Sequence, residues 1–376
     1  MDLNKVIIVP DSFKGALTAF QAADIIASAV FEAFPECEII KMPIADGGEG
    51  SIDAVISAIG GEYYNVKVQS PDFKEIEARY GVARDGTAVL EMAQSSGITR
   101  QAGLNPMTSN TYGFGQMIAA ALNFNPSDFI LCIGGSATTD GGCGMAAALG
   151  VRFLDNNGNS FVPCGETLCD ITRIDMSGID KRVANIGYTV MCDVDSPLFG
   201  ETGAAYVFGP QKGASPQQVR ILDDGLRHYG EILKEHFGRT FCDIPGAGAA
   251  GGLGAGCMAF LGAQLKSGID TLLDLYKFNE RRIGADLIIT GEGKLDSQSF
   301  QGKVLSGILR EAGDVPVWSV CGVSDCDESF LKEKGVEVFQ ASEGISPEES
   351  LREPAMYLKI AAKRAMEKII IKSKAN

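Results

Sequence analysis

Two histidines among 376 residues leave little material for imidazole chemistry. His228 and His236 both fall in a charged, helix-patterned stretch, where the expectation is a solvated ring. A Ser-His-Asp triad or a His-rich metal site is therefore disfavoured. The ten cysteines contain no C-x-x-C pair. Cys164 and Cys169, like Cys321 and Cys326, are separated by four residues, which suits neither a zinc ribbon nor a redox dithiol. Others lie in apolar runs, such as Phe129-Ile130-Leu131-Cys132-Ile133, and read as reduced core residues of a cytoplasmic protein. No apolar run reaches transmembrane length, and Met1-Asp2-Leu3-Asn4-Lys5 carries no signal-peptide pattern. Basic residues are also short, 33 against 48 acidic, for a net charge of −15. That balance argues against nucleic acid and against an anionic membrane surface as partners. Neither repeats nor low-complexity segments point to a scaffold.

Two nucleotide signatures are missing as well. Gly302-Lys303 is followed by Val304, not Ser or Thr, so no Walker A motif is present. The protein-kinase signature set is absent too. A literal G-x-G-x-x-G occurs at Gly246–Gly251, but Pro245 and the poor strand 240–244 precede it, which speaks against a dinucleotide fingerprint.

What the chain has in excess is glycine, 46 residues or about 12% against a usual 7% or so. Much of it is clustered, which favours binding loops. The β-branched run Val6-Ile7-Ile8-Val9-Pro10 reads as a buried parallel strand, and Thr18 as the N-cap of a helix reaching Phe34. A second strand at Glu38–Pro43 and a helix to Ile59 follow. The C-terminal part repeats the style, with strands at 286–290, 316–321 and 336–339 and a closing helix from Pro354. Alternation of this kind predicts an α/β fold with a doubly wound parallel sheet. The middle is richer in glycine and irregular links. The expectation is a discontinuous Rossmann-like parallel-sheet domain, 1–64 plus 280–376, with a second α/β domain, 65–279, inserted into it and the active site in the cleft between them.

Several strand ends pair a carboxylate, a lysine and flexible backbone. Asp11-Ser12-Phe13-Lys14-Gly15 follows the first strand, at the edge where open α/β sheets bind ligands. Lys14 is a candidate anion contact and Ser12 a hydroxyl donor. Asp46-Gly47-Gly48-Glu49-Gly50 puts two carboxylates three residues apart, hard oxygen donors suited to Mg²⁺. Gly134-Gly135-Ser136-Ala137-Thr138-Thr139-Asp140-Gly141-Gly142 links a strand to an apolar helix, so its backbone N–H groups and hydroxyls can cradle an anion. Cys192-Asp193-Val194-Asp195-Ser196-Pro197 and Phe208-Gly209-Pro210-Gln211-Lys212-Gly213 supply an acidic turn and a lysine in a Pro/Gly corner. Gly291-Glu292-Gly293-Lys294-Leu295-Asp296 ends a late strand. Together these segments point to a small-molecule kinase.

Seven stretches in this order closely resemble the glycerate kinase type-1 family: PDSFKGALTA at 10–19, PIADGGEG at 43–50, GGSATTDGGCGM at 134–145, CDVDSPLFG at 192–200, FGPQKGA at 208–214, AAGGLGAG at 249–256 and ITGEGKLDSQSFQGK at 289–303. Thr139 and Ser196 depart from the family pattern, each standing where asparagine is expected. The resemblance implies ATP-dependent phosphorylation of a hydroxyl of D-glycerate with Mg²⁺ by two α/β domains. The product expected is phosphoglycerate, with 2-phosphoglycerate favoured over 3-phosphoglycerate. Asp193 is the candidate for the carboxylate that orients or deprotonates the acceptor hydroxyl, and Lys14 and Lys212 are candidates for contact with the substrate carboxylate or the moving phosphoryl. Ser12, Gly134, Gly135, Ser136, Thr138, Asp140, Gly251, Gly252 and Lys303 are the candidate substrate and phosphate contacts. Asp46, Glu49, Glu292 and Asp296 are the candidate Mg²⁺ ligands. The partners expected are small molecules, D-glycerate and ATP, with the protein a monomer or homodimer. The competing readings are a nicotinamide-dependent hydroxy-acid dehydrogenase, resting on Gly246–Gly251, and a non-catalytic binder of small anions.

Overall fold

The run of β-branched residues at the N-terminus forms a strand with almost every side chain buried, as a central parallel strand requires. The structure, a computed structural model, describes residues 3–45, 47–300 and 304–375. In chain order, β1 (Lys5–Pro10), α1 (Ala19–Ala33) and β2 (Glu38–Lys41) come first. Next are α2 (Ser51–Ile59), β3 (Gly61–Gln69), β4 (Glu75–Ala83), β5 (Thr87–Glu91), α3 (Tyr112–Ala121), β6 (Asp128–Cys132) and α4 (Cys143–Ala148). Then follow β7 (Gly187–Met191), α5 (Ala204–Phe208), α6 (Pro216–Phe237), α7 (Ala249–Phe260), β8 (Gln264–Lys266) and α8 (Gly268–Leu275). The last principal elements are β9 (Leu287–Gly291), α9 (Val304–Glu311), β10 (Val317–Cys321), β11 (Val336–Gln340) and α10 (Pro354–Ala375). The fold is mixed α/β with sheets rich in parallel pairs.

Two compact units result, Met1–Asp46 with Ile269–Asn376, and Gly47–Gly268. The chain thus changes unit nearer the N-terminus than residues 64/65 and 279/280, the limits read from composition. The reason is visible in α2, whose Ile52 N–H is held by Glu91 of β5, and in β3, which pairs with β4 along its whole length.

The first unit has a five-stranded sheet of order β11-β10-β9-β1-β2, parallel throughout. Ala22, Ile26 and Val30 of α1 share a core with Leu358, Ala362 and Met366 of α10. Thr18 caps α1 as its sequence predicts. Its Oγ1 accepts the Gln21 N–H at 3.1 Å, and Gln21 Oε1 accepts the Thr18 N–H at 2.9 Å. The second unit has six strands in the order β8-β7-β6-β5-β4-β3. Strands β5 to β8 are parallel; β4 and β3 add an antiparallel hairpin at one edge. Leu90, Leu131 and Val190 pack against Phe114 and Met117 of α3 and Leu253 of α7. A further core gathers Leu222, Leu226 and Tyr229 of α6 around Phe153 and Phe260.

One local reading is corrected. His228 is not solvated: it is half-buried, and its Nε2 lies 2.7 Å from the Ile171 carbonyl. Its position on the inner side of an amphipathic helix explains this, whereas His236 is exposed. Among the described residues, no helix is long and apolar enough to cross a membrane.

Candidate active site

In the first unit, three strand ends meet at the carboxyl edge of the sheet. Pro10 lies opposite Gly291, so the loops after β1 and β9 leave side by side. The Asp11 N–H donates to the Gly291 carbonyl at 2.8 Å, and Asp11 Oδ1 accepts the Ser12 N–H at 2.6 Å. Phe13 and Leu17 close the first loop with reciprocal backbone bonds of 2.8 and 3.0 Å, leaving Lys14 exposed. Gly293 packs so close that a side chain there would reach within 3.3 Å of Phe13 Cα. From the β10 end, Gly322 N–H and Val323 N–H donate to the Glu292 and Gly293 carbonyls, both at 3.1 Å.

Ser299 bridges the Glu292 carboxylate and the Asp296 backbone, the two acidic residues proposed for metal in this unit. It is fully buried, donates to Glu292 Oε2 at 2.9 Å and accepts the Asp296 N–H at 3.2 Å. Asp296 Oδ1 also accepts the Gln298 N–H at 2.9 Å. Among the described residues, no three or more His, Cys, Asp or Glu side chains gather into a metal-holding group. A pair of carboxylates nonetheless fits Mg²⁺, which keeps several waters and usually takes one or two carboxylates plus substrate phosphates. Lys294 is tied to Asp325 at 2.7 Å, with both side chains more than half exposed, a solvated pair of little energetic weight. Asp46 and Lys303, candidates for metal and phosphate, lie outside the described residues.

In the second unit the loops leave the carboxyl ends of β5, β6, β7 and β8. The glycine-rich loop after β6 is pinned on both sides. Gly134 N–H donates to the Gly47 carbonyl at 2.9 Å; Ile98 N–H donates to Gly135, and Ala137 N–H to Ser96, both at 3.0 Å. Glu49, the other metal candidate of the second segment, is exposed in the turn before α2. Within the loop, Ser136 Oγ lies 3.0 Å from Thr138 Oγ1 and accepts the Thr138 N–H at 3.0 Å.

Asp140 is fully buried and organises the end of the loop. Its Oδ2 accepts Thr111 N–H at 2.7 Å, Thr111 Oγ1–H at 2.8 Å and Gly144 N–H at 3.1 Å; Oδ1 accepts Gly142 N–H at 3.2 Å. Burial pushes its pKa up, and the four donors oppose that. An added proton would face only donors, so the arrangement suits the carboxylate. This is a structural role that the spacing alone did not reveal.

Lys212 is the second buried charge-bearing group, only 2% exposed. It ends a 3₁₀ turn, Pro210–Lys212, and Gly213 follows at φ 90°. Its Nζ donates to the Thr138 carbonyl at 2.5 Å and lies 3.5 Å from Ser136 Oγ. Desolvation lowers its pKa to about 7, against a weaker upward pull from Asp140. The fourth segment, around Gly251 and Gly252, lines the same loop. Ala250, Gly251 and Gly252 have φ of 53°, 71° and 90°, a left-handed run that kinks α7. Gly251 O accepts the Gly141 N–H at 3.0 Å, and a side chain at 251 would overlap the Thr138 carbonyl. Among the described residues no strand leads directly into Gly246, the preceding element being α6, so the G-x-G-x-x-G match is not a strand–turn–helix dinucleotide fingerprint. Its glycines serve close packing instead: the Gly248 N–H donates to Ser196 O at 2.9 Å.

Asp193 follows β7 and is exposed. Its Oδ1 accepts the N–H of Gly268, the first residue of α8, at 2.8 Å. Thus Asp193, Ser136, Thr138 and Asp140 belong to loops of one sheet edge, with Lys212 and Gly251 packed against the loop after β6, while Ser12, Lys14, Glu292 and Asp296 belong to the carboxyl edge of the other unit's sheet. Thr139 Oγ1, at one of the two departures from the family pattern, is buried with no hydrogen-bond partner among the described residues.

Two residues escaped the sequence reading. Lys266 ends β8 in register with Met191, and its carbonyl accepts the Cys192 N–H at 2.9 Å, one residue from Asp193. The signal was present, since Lys266-Ser267-Gly268 repeats the lysine-plus-glycine strand end found elsewhere. Glu91 looked like an ordinary strand residue. It is buried, and Oε1 accepts Ile52 N–H at the start of α2, so desolvation raises its pKa. No local pattern reveals that contact, because its partner is 39 residues away.

The model of the glycerate kinase family matches residues 6–370. The chain is 45% identical over 325 residues to a glycerate kinase of Halalkalibacterium halodurans, covering 85% of this chain and 86% of the relative. It is 41% identical to a glycerate kinase of Bacillus subtilis, covering 96% of each, and 40% identical to a glycerate 2-kinase of Escherichia coli, covering 89% of each. The crystal structure of a provisionally named glycerate kinase 2 from Salmonella typhimurium LT2 superposes with a TM-score of 0.87 at 36% identity, covering 99% of this chain and all of that one. With matches that run from the first strand to the last helix, the chain belongs to the glycerate kinase family and is a kinase.

Proposed function

We propose that this protein transfers the γ-phosphoryl group of ATP to a hydroxyl of D-glycerate, with 2-phosphoglycerate as the favoured product. The observation that carries the reading is the buried Lys212 amine set against Ser136 and the Thr138 carbonyl in a glycine-rich loop, on the sheet edge that also bears Asp193. The glycerate 2-kinase name of the Escherichia coli relative supports the choice of hydroxyl.

Phosphoryl transfer asks for positioning and charge neutralisation more than for covalent chemistry. Asp193 accepts the proton of the attacking hydroxyl; the Gly268 N–H holds one of its oxygens, which fixes the direction of the other. Lys212, Ser136, Thr138 and the backbone around Gly134 and Gly135 receive an oxyanion. Asp140 keeps that loop in shape from beneath, and Gly251 and Gly252 allow the close approach of α7. Lys14 and Ser12 receive a second oxyanion at the first unit's sheet edge. Glu292 and Asp296, joined by Ser299, would hold Mg²⁺, with Glu49 and Asp46 as the alternative pair. When bound with ATP, Mg²⁺ neutralises charge on the phosphate oxygens. In fold terms the reading treats the first unit as a Rossmann-like domain and the second as its insertion, acting in the cytoplasm on soluble substrates.

The test is ATP-dependent phosphorylation of D-glycerate, read through enolase with and without phosphoglycerate mutase. Signal without the mutase is expected and identifies 2-phosphoglycerate. Signal only with the mutase moves the reaction to the 3-hydroxyl, and no ADP formation overturns the substrate. Asp193→Asn is expected to lower kcat by roughly 10²–10⁴ in a folded protein; an unchanged kcat removes Asp193 from the mechanism.

A further inference from the structure

Lys212 is buried without a direct counter-ion among the described residues. Its side chain is enclosed, and no ion pair to it forms among the described residues. The acid closest in role, Asp140, already has both oxygens occupied by four donors. What surrounds Nζ is neutral: the Thr138 carbonyl at 2.5 Å and the Ser136 hydroxyl at 3.5 Å, itself coupled to Thr138 Oγ1. An ammonium in such a place has only the attraction of the Asp140 carboxylate, which makes no ion pair with it, to set against its desolvation, whereas a neutral amine satisfies its contacts by donating to Thr138. The loop is also built to keep hydroxyls and N–H groups together, since Gly135, Gly141 and Gly142 all take positive φ.

We propose that Lys212, Ser136 and Thr138 form an oxyanion seat whose filling is coupled to uptake of one proton by the Lys212 amine. The inference rests on the kinase reading for the source of the oxyanion, a carboxylate of D-glycerate or a phosphate of ATP. The incoming anion supplies a direct counter-charge; solvent supplies the proton, which stays on Nζ while the complex lasts. No bond to carbon or phosphorus changes. Burial, which brings the amine down to about 7, puts the event near neutral pH.

The other titratable groups facing this corner stay silent there. Asp140, from the same loop, is held as a carboxylate by its donors. Cys143 of α4 and Tyr229 of α6 are both fully buried and pushed well above their ordinary values, so both remain neutral. The 3₁₀ turn itself adds only Pro210 and Gln211, α5 adds only the exposed Tyr206, and the kink of α7 adds no ionisable side chain.

The experiment is titration calorimetry on the full-length protein at about pH 8.5, in buffers of different ionisation enthalpy and free of phosphate, with D-glycerate in one arm and ATP in the other. Proton uptake approaching one per site is expected in the arm whose oxyanion reaches Lys212, falling toward zero by about pH 6 as the free amine becomes protonated. Lys212→Met, checked for folding by circular dichroism, is expected to abolish the uptake and weaken that ligand at least about tenfold. Binding heat in both arms without net uptake overturns the coupling and leaves the kinase reading standing. Uptake that persists in Lys212→Met assigns the proton elsewhere and also overturns it. Absence of binding in both arms overturns the kinase reading, and the inference with it.

Discussion

Removing the buried carboxylate of Asp140 is the sharpest test of how the glycine-rich loop is held. In Asp140→Ala, the N–H groups of Thr111, Gly142 and Gly144 and the Thr111 hydroxyl lose their acceptor together. Each buried donor left unmade costs about 1–3 kcal/mol. A water entering the small void restores some of them, so the expected loss is about 3–6 kcal/mol. That is a large share of the roughly 5–15 kcal/mol that stabilises a typical domain. Asp140→Asn is expected to behave differently. Its carbonyl oxygen can replace Oδ2 and keep three bonds, while its amide opposes only the Gly142 N–H, for a loss of about 1–3 kcal/mol. Urea unfolding should be followed by far-UV circular dichroism. The single tryptophan, Trp318, lies in β10 of the other unit, so its fluorescence reports the wrong sheet. Hydrogen exchange at Thr111, Gly142 and Gly144 adds a local readout and should accelerate in both variants, more in Ala. An Asp140→Ala protein within about 1 kcal/mol of wild type, with those amides still protected, refutes the reasoning.

Three further expectations follow from the same geometry. Gly251→Ala places a side chain at φ 71° and into the Thr138 carbonyl; strain of about 1–2 kcal/mol plus the overlap should lower both stability and kcat/KM, and wild-type values would show the loop to be compliant. Ser299→Ala frees Glu292 and Asp296 from each other, so the Mg²⁺ needed for half-maximal rate should rise about 10- to 100-fold, with direct Mg²⁺ titration in the presence of ADP as the check. Lys212 has a folded pKa of about 7, below its ordinary value, so the unfolded chain holds the extra proton between about pH 7 and 10.5. Its contribution to stability should therefore rise with pH across that window, by about 1.4 kcal/mol per unit. The stability difference between wild type and Lys212→Met, measured in urea from pH 6 to 9.5, should be flat below about pH 7 and climb above it; a difference that stays flat throughout refutes the lowered pKa.

Much of the architecture was legible because its signals are local. Thr18 and Gln21 announce a helix start within four residues, and Val6–Val9 can only be a doubly covered strand. The candidate loops were legible for a similar reason: glycine beside a lysine and a carboxylate at a strand end is a compositional event. Their energetic roles were not. Lys14 and Lys212 look alike in the sequence, each a lysine before a glycine, yet one is exposed and the other is enclosed with its amine near neutrality. Glu91 and Asp140 are an ordinary strand acid and an ordinary loop acid until Ile52 and Thr111, 39 and 29 residues away, are brought to them.

By itself, then, the amino-acid sequence determined the α/β class, the parallel strands, the order of the glycine-rich segments and the resemblance to a kinase family, since each depends on residues close together in the chain. Only the tertiary structure decided which carboxylates are buried, which lysine is enclosed, where the chain passes between units and why Gly251 admits no side chain. Those properties come from desolvation and from contacts across distant segments, and the packed molecule alone supplies both.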